Sequence, residues 1–149
     1  MKFAFIDSDI FVRDLRYRRD AQREVNDRLL ERIRRGKIRA ATSIFNVLEI
    51  CGVLSFNYSQ EELVGLYTGF IDHYGVKVFL PADAHGAVQY DLEWIWKQIA
   101  QKQSLNDAQV AYVADRFSDL IICFVSWNAR HFEGKLPVPV MTPEEFLKV

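Results

Sequence analysis

Short apolar runs alternate along the chain with longer segments of helical periodicity. The runs FAFI (3–6), VKVFL (76–80) and LIICFV (120–125) predict buried strands, and the last of them is expected to be buried on both faces. Shorter strands are expected around 37–41 and over 137–141. Strands separated by helices predict one α/β domain over residues 1–149, with a parallel sheet covered by helices on both faces.

Helical patterns fill the intervals between these strands. A basic helix starting near residue 19 carries the apolar stripe Ala21, Val25, Leu29, Leu30 and Ile33 and is expected to end at Gly36. A helix N-cap is expected at Ser43, because a serine side chain accepts a hydrogen bond from the first turn, and Thr142 with Glu145 fits a capping box at the last helix. The remaining predicted helices cover 43–54, 59–74, 83–101, 106–117 and the last residues after 142.

Charge is distributed unevenly although the whole chain carries a net charge of only −1. Residues 13–39 hold eleven Lys/Arg and five Asp/Glu, which leaves a net charge of −7 on the remainder. This asymmetry suggests a polyanion partner, and Arg32, Arg34 and Arg35 are the residues expected to contact its phosphates. The alternative is a solvated helix, in which Glu24 and Arg28 form an ordinary i,i+4 pair.

Features of export or membrane insertion are not expected. The apolar runs are too short to cross a bilayer, and MKFAFIDSDI has carboxylates where a signal peptide needs its apolar segment. Cys51 and Cys123 lie in apolar sequence without a CxxC motif or metal-ligand spacing, so both are expected to be free thiols. These features predict a cytoplasmic protein.

Four polar residues stand where buried strands end or where a helix packs beside them. Asp7 directly follows the first strand, and Asn128 lies shortly after the run 120–125. Glu49 interrupts an apolar helix, and Asp107 opens a helix rich in alanine. Because ligands bind beyond the carboxyl ends of parallel strands, we expect these four side chains to line one site.

The order of these motifs resembles the PIN-domain ribonucleases, and among them the VapC-like toxins of bacterial and archaeal toxin–antitoxin modules. The motifs span essentially the whole chain and read FIDSDIF, FNVLEI, SLNDAQVAYVADRF, VSWNARHF and VMTPEEFL. The resemblance implies a three-layer fold with a central parallel sheet flanked by helices. It also implies that Asp7, Glu49 and Asp107 bind Mg²⁺ or Mn²⁺ for the hydrolysis of RNA. An antitoxin protein and a second copy of the chain are the partners that it implies.

Asn128 departs from the family pattern, whereas Asp9 stands where the family usually shows Asn or Asp. Many relatives have an acid where this chain has Asn128, and an amide can accept through its carbonyl but adds no charge. Asp9 is expected to orient Asp7 or a water rather than to bind a metal directly. Hard oxygen ligands suit Mg²⁺ and Mn²⁺, and converging carboxylates repel each other, so at least one acid is expected to have a raised pKa.

Several alternatives stay open at this point. Asp7 could be a turn or helix-cap residue, Glu49 could pair with an arginine, and Asp107 could simply favour a helix N-terminus. A non-catalytic PIN-like domain that binds RNA or protein is a second function, and a housekeeping RNA-processing nuclease would use the same site. The DSD motif also resembles haloacid-dehalogenase phosphatases, in which Asp7 would be the nucleophile and Asp9 the acid/base. The later lysine and paired acids of that family are not found here.

Overall fold

Strands and helices alternate through the computed structural model, which describes residues 1–16 and 21–149. The described strands are β1 (Phe3–Ile6), β2 (Ala40–Ser43), β3 (Lys77–Phe79), β4 (Ile121–Val125) and β5 (Val140–Met141). The described helices are α1 (Ser8–Arg16), α2 (Arg23–Arg34), α3 (Ile44–Leu54), α4 (Gln60–Tyr74), α5 (Leu92–Ala100), α6 (Leu105–Arg116) and α7 (Pro143–Lys148). The strands pair in parallel in the order β3-β2-β1-β4-β5.

Helices cover both faces of this sheet, which confirms the predicted α/β architecture with three layers. Side chains of a strand alternate between its two faces. In β1, Ala4 and Ile6 point into a core formed with α1, α2, α3 and α4, while Phe5 points into a second core formed mainly with α6. On the second face the Phe5 ring stacks on Phe124 of β4, with 5.0 Å between the ring centroids.

The strand order places three carboxyl ends side by side at one edge of the sheet. β1 lies between β2 and β4, and the chain passes through β2 and β3 on one side before returning to β4 on the other. The gap between β1 and β4 is therefore the point where the order of the connections reverses, which is where open α/β sheets bind ligands. Asp7 lies at that point, because its N–H continues the β1 ladder by donating to Val125 O at 3.0 Å.

The first helices differ from the expected single basic helix. Residues 8–16 form α1, which the sequence did not reveal as a helix, and α2 begins at Arg23. Of the predicted stripe, Leu29, Leu30 and Ile33 are buried, whereas Ala21 is exposed. Residues 19 and 20 of the predicted helix lie outside the described residues. Asn26, which is not part of the predicted stripe, is also buried. Its side-chain amide donates to Ile10 O and its side-chain carbonyl accepts from the indole of Trp127, so both polar groups are satisfied.

Two further predictions were wrong in detail. Of the helix expected over 83–101, only the part from Leu92 to Ala100 is helical, as α5. Before it, the side chain of Asp83 accepts from the N–H groups of His85 and Ala87 and forms a turn. The strand 120–125 is not buried throughout, because Ile122 is 50 % exposed. The register shifts opposite Phe3, so Ile122 is the extra residue of a β-bulge.

The two cysteines are free, as predicted, and burial raises the pKa of the Cys123 thiol to about 11. Among the helices of the described residues, none has the length and apolar character needed to span a membrane.

Candidate active site

Asp7 is a buried carboxylate with a hydrogen-bond partner at each oxygen. Its Oδ1 accepts from the backbone N–H of Ser8 at 2.8 Å and from the side-chain amide of Asn46 at 3.1 Å. Its Oδ2 accepts from the hydroxyl of Ser126 at 2.8 Å. The bond to Ser8 at the start of α1 shows that Asp7 also supports the turn into that helix. The carboxylate of Asp7 is therefore held in place by groups that follow β1, lie in α3 and follow β4.

The pKa of Asp7 is raised well above its ordinary value, as the sequence predicted for at least one acid. Burial is the largest cause, and the neighbouring charge of Asp9 is the next. Hydrogen bonds from Ser126 and from the Ser8 backbone lower the pKa, but they do not offset burial. Glu49 adds a smaller repulsion that also raises it. Asp7 is therefore an acid whose charge is costly in the metal-free protein.

Asp9 shares the hydroxyl of Ser126 with Asp7. The Ser126 Oγ lies 3.0 Å from Asp9 Oδ2, and this oxygen also accepts from the backbone N–H of Asn128 at 3.1 Å. The single hydroxyl proton can serve only one of the two acids at a time. Burial is the main cause that raises the pKa of Asp9, while hydrogen bonding with the Trp127 backbone, the Ser126 side chain and the Asn128 backbone lowers it more than the charge of Arg13 does. The other oxygen, Asp9 Oδ1, is buried without a hydrogen-bond partner in the described part of the chain.

Glu49 approaches Asp7 from α3. Its carboxylate accepts a hydrogen bond from the hydroxyl of Ser8, and Ser8 in turn accepts from the amide of Asn46 at 2.8 Å. Asn46 is held by the capping box at the start of α3, in which Ser43 Oγ lies 2.5 Å from Asn46 Oδ1. Glu49 is thus linked to Asp7 through two polar side chains.

Asp107 and Asn128 complete the site from the other side. Asp107 lies in the first turn of α6, where its N–H donates to the cap Ser104, so the helix N-terminus is favourable for its charge. Its carboxylate lies 3.6 Å from His131 Nδ1, in the turn that follows β4. Asn128 is exposed at the start of the same turn.

One cavity of about 440 Å³ brings these residues together. Asp7, Asp9, Glu49, Asp107 and Asn128 all line it, although they are far apart in the sequence. We call this space the acidic cavity. The expectation that they share one edge of the sheet is therefore met. Its wall also contains Ser8, Val12, Arg13, Arg16, Val53, His131 and Phe132.

The acids share this cavity but do not converge within ligand distance of one point. Across residues 1–16 and 21–149, no three His, Cys, Asp or Glu side chains are placed to hold a metal ion together. Asp7, Glu49 and Asp107 instead face Ser126, Ser8 and His131. The donor chemistry nevertheless fits a hard divalent cation, because carboxylate and amide oxygens are its preferred ligands and Asp9 Oδ1 is unpartnered within the described chain.

The arginines expected to contact RNA do not line the acidic cavity. Arg34 pairs with Asp14 at 3.7 Å and Arg35 pairs with Glu31 at 2.6 Å, and Arg32 is exposed on the same helix. Their role in RNA binding stays a prediction. The cations at the cavity are Arg13 and Arg16 of α1, which belong to the same basic segment of the sequence.

Three side chains of the site were not found from the sequence. Ser8, Asn46 and Ser126 bind the carboxylates directly, yet each is a small polar residue of a common type at the end of a strand or the start of a helix. Their position after β1, β2 and β4 is the signal that could have identified them, because those three ends are adjacent.

No protein-family model matches the chain, and a search of curated proteins finds none that matches it.

Proposed function

We propose that this chain is a Mg²⁺- or Mn²⁺-dependent endoribonuclease that hydrolyses phosphodiester bonds of RNA. The observation that carries the proposal is the gathering of Asp7, Glu49, Asp107 and Asn128 in one cavity at the carboxyl edge of a parallel sheet. Two neighbouring buried acids with raised pKa values, Asp7 and Asp9, at such an edge are typical of a functional site, since burial and repulsion make them unfavourable for stability alone.

The three acids Asp7, Glu49 and Asp107 are the residues that would hold the ion. Such an ion, when bound, lowers the pKa of water and stabilises the charge that develops on the phosphate oxygens. Asp9 holds the backbone of Asn128 and the hydroxyl of Ser126, so it acts as a positioning residue. Asn128 can accept a hydrogen bond from water or from the ribose through its carbonyl, but it contributes no charge.

The substrate is an extended or looped RNA strand, because its phosphate must reach the buried carboxylate of Asp7 inside the cavity. Arg13 and Arg16 line that cavity and supply positive charge beside the acids. Arg13 also lies over the indole of Trp127, 5.1 Å from its centroid, which fixes the direction of its guanidinium. Phosphate contacts of this kind hold the strand in place without selecting its sequence.

The resemblance to VapC-like toxins extends the proposal to a toxin whose partner is an antitoxin protein, and to a homodimer. A short reading frame directly upstream of the gene, whose product forms a complex with this chain, would support the toxin role. A gene without such a neighbour would favour a housekeeping RNA-processing nuclease with the same site.

A non-catalytic domain that binds RNA or protein is the second candidate. It is favoured by the spacing of the acids, which in the described ranges 1–16 and 21–149 do not form a ready metal cluster, and by the uncharged Asn128. The phosphatase alternative is weaker. The later lysine and the paired acids that a nucleophilic Asp7 would need in that family are not found in the sequence.

Cleavage assays separate the two main candidates. A labelled single-stranded RNA is incubated with the purified protein and Mn²⁺, with and without excess chelator, and the products are resolved by length. We expect internal cleavage that stops on chelation. Asp7→Asn should lower the rate by at least about a hundredfold, the scale on which loss of an electrostatic catalytic group acts.

A variant of an acid outside the site provides the control. Asp119→Asn changes an exposed residue just before β4, at the opposite edge of the sheet, and should leave the rate unchanged. Binding of RNA without cleavage in any divalent metal would identify the non-catalytic domain. Cleavage that persists in chelator would show that the ion is not required and would contradict the proposal.

A further inference from the structure

A second, basic pocket lies directly beside the acidic cavity. It has a volume of about 290 Å³ and is lined by the cations Lys102, Arg130 and Lys135. We call it the basic pocket. It shares Asp107 and His131 with the acidic cavity, so the two spaces adjoin at this pair of side chains.

Two loops from different parts of the chain bring the three cations together. Lys102 follows α5, whereas Arg130 and Lys135 lie in the turns after β4. The side-chain amide of Gln103 donates to His131 O at 3.3 Å and ties the first loop to the second. The second loop is anchored by the buried ring of Phe132. The backbone segments that carry the three cations are therefore held beside each other by the fold, and Lys102 and Arg130 are exposed on them.

Phe132 packs on Phe124 in the core, with 4.4 Å between the ring centroids, and its carbonyl accepts the N–H of Lys135 at 3.0 Å. The backbone that carries Lys135 is thus attached to β4. Lys135 is correspondingly half-buried, although it is a lysine in a loop.

The three cations of the pocket, Lys102, Arg130 and Lys135, have no acidic partner among residues 1–16 and 21–149. Asp107 is the one carboxylate in the lining described, and its carboxylate lies 3.6 Å from His131 Nδ1 rather than beside one of the three cations. Three cations facing one acid leave an excess of positive charge that an anion would stabilise.

Lys102 has a conformation that glycine or asparagine would adopt more easily. Its φ is +72°, the left-handed region, and it stands just after the end of α5, where helices commonly end in glycine. A lysine here adds a charge to the pocket at some cost in backbone strain. A substitution to glycine therefore removes the charge while relieving the strain.

We propose that the basic pocket binds a backbone phosphate of the same single-stranded RNA whose cleaved phosphate occupies the acidic cavity. This inference rests on the proposed function, because it takes RNA as the substrate. Arginine and lysine are the side chains that bind phosphate most readily. A strand that leaves the acidic cavity past Asp107 and His131 enters the basic pocket directly, so the pocket sets the path of the RNA next to the cut.

Binding measured without cleavage tests the inference. The fluorescence anisotropy of a short labelled oligouridylate is titrated with protein in excess chelator, over a series of salt concentrations. The variant combines Lys102→Gly, Arg130→Gln and Lys135→Gln. We expect its affinity to fall about tenfold and the slope of log K against log salt to fall by about 0.7 or more, the value for one phosphate contact with a single strand.

Lys2→Gln is the matched control. Lys2 is exposed and stands just before the amino end of β1, so it lies at the edge of the sheet opposite both cavities. Its loss should leave affinity and salt slope unchanged. A thermal melt of each variant checks folding, and Arg130→Gln alone, at an exposed position, gives a smaller effect of the same sign if the combined variant is unstable.

The outcomes distinguish this inference from the nuclease proposal. A combined variant that binds RNA with the affinity and slope of Lys2→Gln overturns the basic pocket, even if the wild type cleaves RNA with Mn²⁺. A wild type that does not bind the oligouridylate overturns it as well. A wild type that never cleaves RNA, but loses affinity in the combined variant, supports the pocket and defeats the nuclease proposal.

Discussion

At the scale of single residues, Asp7 is a buried acid whose charge is unfavourable in the metal-free protein. It is 8 % exposed, it lies beside Asp9, and its pKa is raised by burial first and by repulsion second. An asparagine has the same shape. Its Oδ1 can accept from Ser8 and Asn46, and its amide can donate to Ser126 in place of the bond that Asp7 accepts. The substitution therefore removes charge while preserving the hydrogen bonds.

Asp7→Asn should stabilise the metal-free protein at neutral pH by about 1 kcal/mol, a usual size for a single-residue effect. Because the pKa of Asp7 is higher in the folded state than its ordinary value of 3.8, the folded state binds more protons. The free energy of unfolding of the wild type should then fall as pH rises from about that value through the folded pKa. The pKa of Asp9 is also raised, so part of this decrease in the free energy of unfolding should remain in Asp7→Asn.

Denaturant titrations in excess chelator at several pH values would measure these differences. The two proteins should approach equal stability at acid pH, where both side chains are neutral, and separate as pH rises. An Asp7→Asn protein that is less stable at neutral pH would instead show that Asp7 serves mainly as a structural cap for α1.

The sequence predicted the acids better than their partners. A carboxylate after a strand or inside an apolar helix is unusual enough to stand out, as Asp7 and Glu49 do. Serine and asparagine are ordinary at strand ends and helix caps, so nothing in the sequence distinguished Ser126 or Asn46 from many similar residues. The direction of each side chain depends on tertiary packing. The close approach of the acids to hydroxyls rather than to one another could therefore not be predicted.

At the scale of elements, the start of α3 links helix capping to the site. Ser43 and Asn46 form a capping box, and the same Asn46 amide donates to Asp7 and Ser8. The helix start was predictable from Ser43, since serine accepts from the first turn. The contact of Asn46 with Asp7 was not predictable, because it depends on β1 lying beside β2.

Ser43→Ala should lower the free energy of unfolding by about 1 to 2 kcal/mol, since a cap is lost and Asn46 loses a buried partner. It should also reduce RNA cleavage, because the amide that holds Asp7 is released. Ser59→Ala removes the equivalent capping serine of α4, an exposed one that bonds Glu62. It should lower stability but leave cleavage unchanged. Equal losses of activity in both variants, measured well below their melting temperatures, would contradict this role of Ser43.

The secondary-structure predictions were wrong where a local bulge or turn interrupts a segment whose hydrophobic pattern indicates a regular strand or helix. The pattern of Ile122 indicates a buried strand residue, but a bulge opposite Phe3 turns it outward. Residues 83–89 contain no proline and a single glycine, so their composition does not exclude a helix. The carboxylate of Asp83 nevertheless accepts hydrogen bonds from backbone N–H groups and forms a turn. A hydrogen bond of this kind competes with a helix locally and leaves little trace in the hydrophobic pattern.

At the scale of the whole molecule, the position of the site follows from the topology of the sheet. Parallel strands place their carboxyl ends at one edge, and the order β3-β2-β1-β4-β5 puts Asp7 where the connections diverge. The alternation of strands and helices in the sequence indicated the parallel sheet, but it did not give the order of the strands. The sequence also indicated a basic segment, but the residues of that segment at the acidic cavity are Arg13 and Arg16 of α1, a helix that the hydrophobic pattern did not reveal.

The binding of a divalent ion should stabilise the folded molecule as a whole. An ion that binds the folded state alone adds about 2.7 kcal/mol when its concentration is a hundred times its dissociation constant. Thermal melts of the wild type should therefore shift upward with added Mn²⁺ relative to chelator. The ion also offsets the repulsion among the acids, so Asp7→Asn and Glu49→Gln should each lose most of that shift while unfolding as cooperatively as the wild type.

The melting shift of an Asp119→Asn variant distinguishes Mn²⁺ binding at a specific site from general binding of cations to an acidic surface. Asp119→Asn removes one negative charge at the opposite edge of the sheet, so it should keep the full upward shift with Mn²⁺. If Mn²⁺ stabilises Asp7→Asn as much as the wild type, the ion binds elsewhere and the acids of the cavity are not its ligands. If Mn²⁺ and Mg²⁺ stabilise none of the proteins, repulsion among the carboxylates is relieved by protonation instead, and a metal-dependent mechanism at Asp7, Glu49 and Asp107 is wrong.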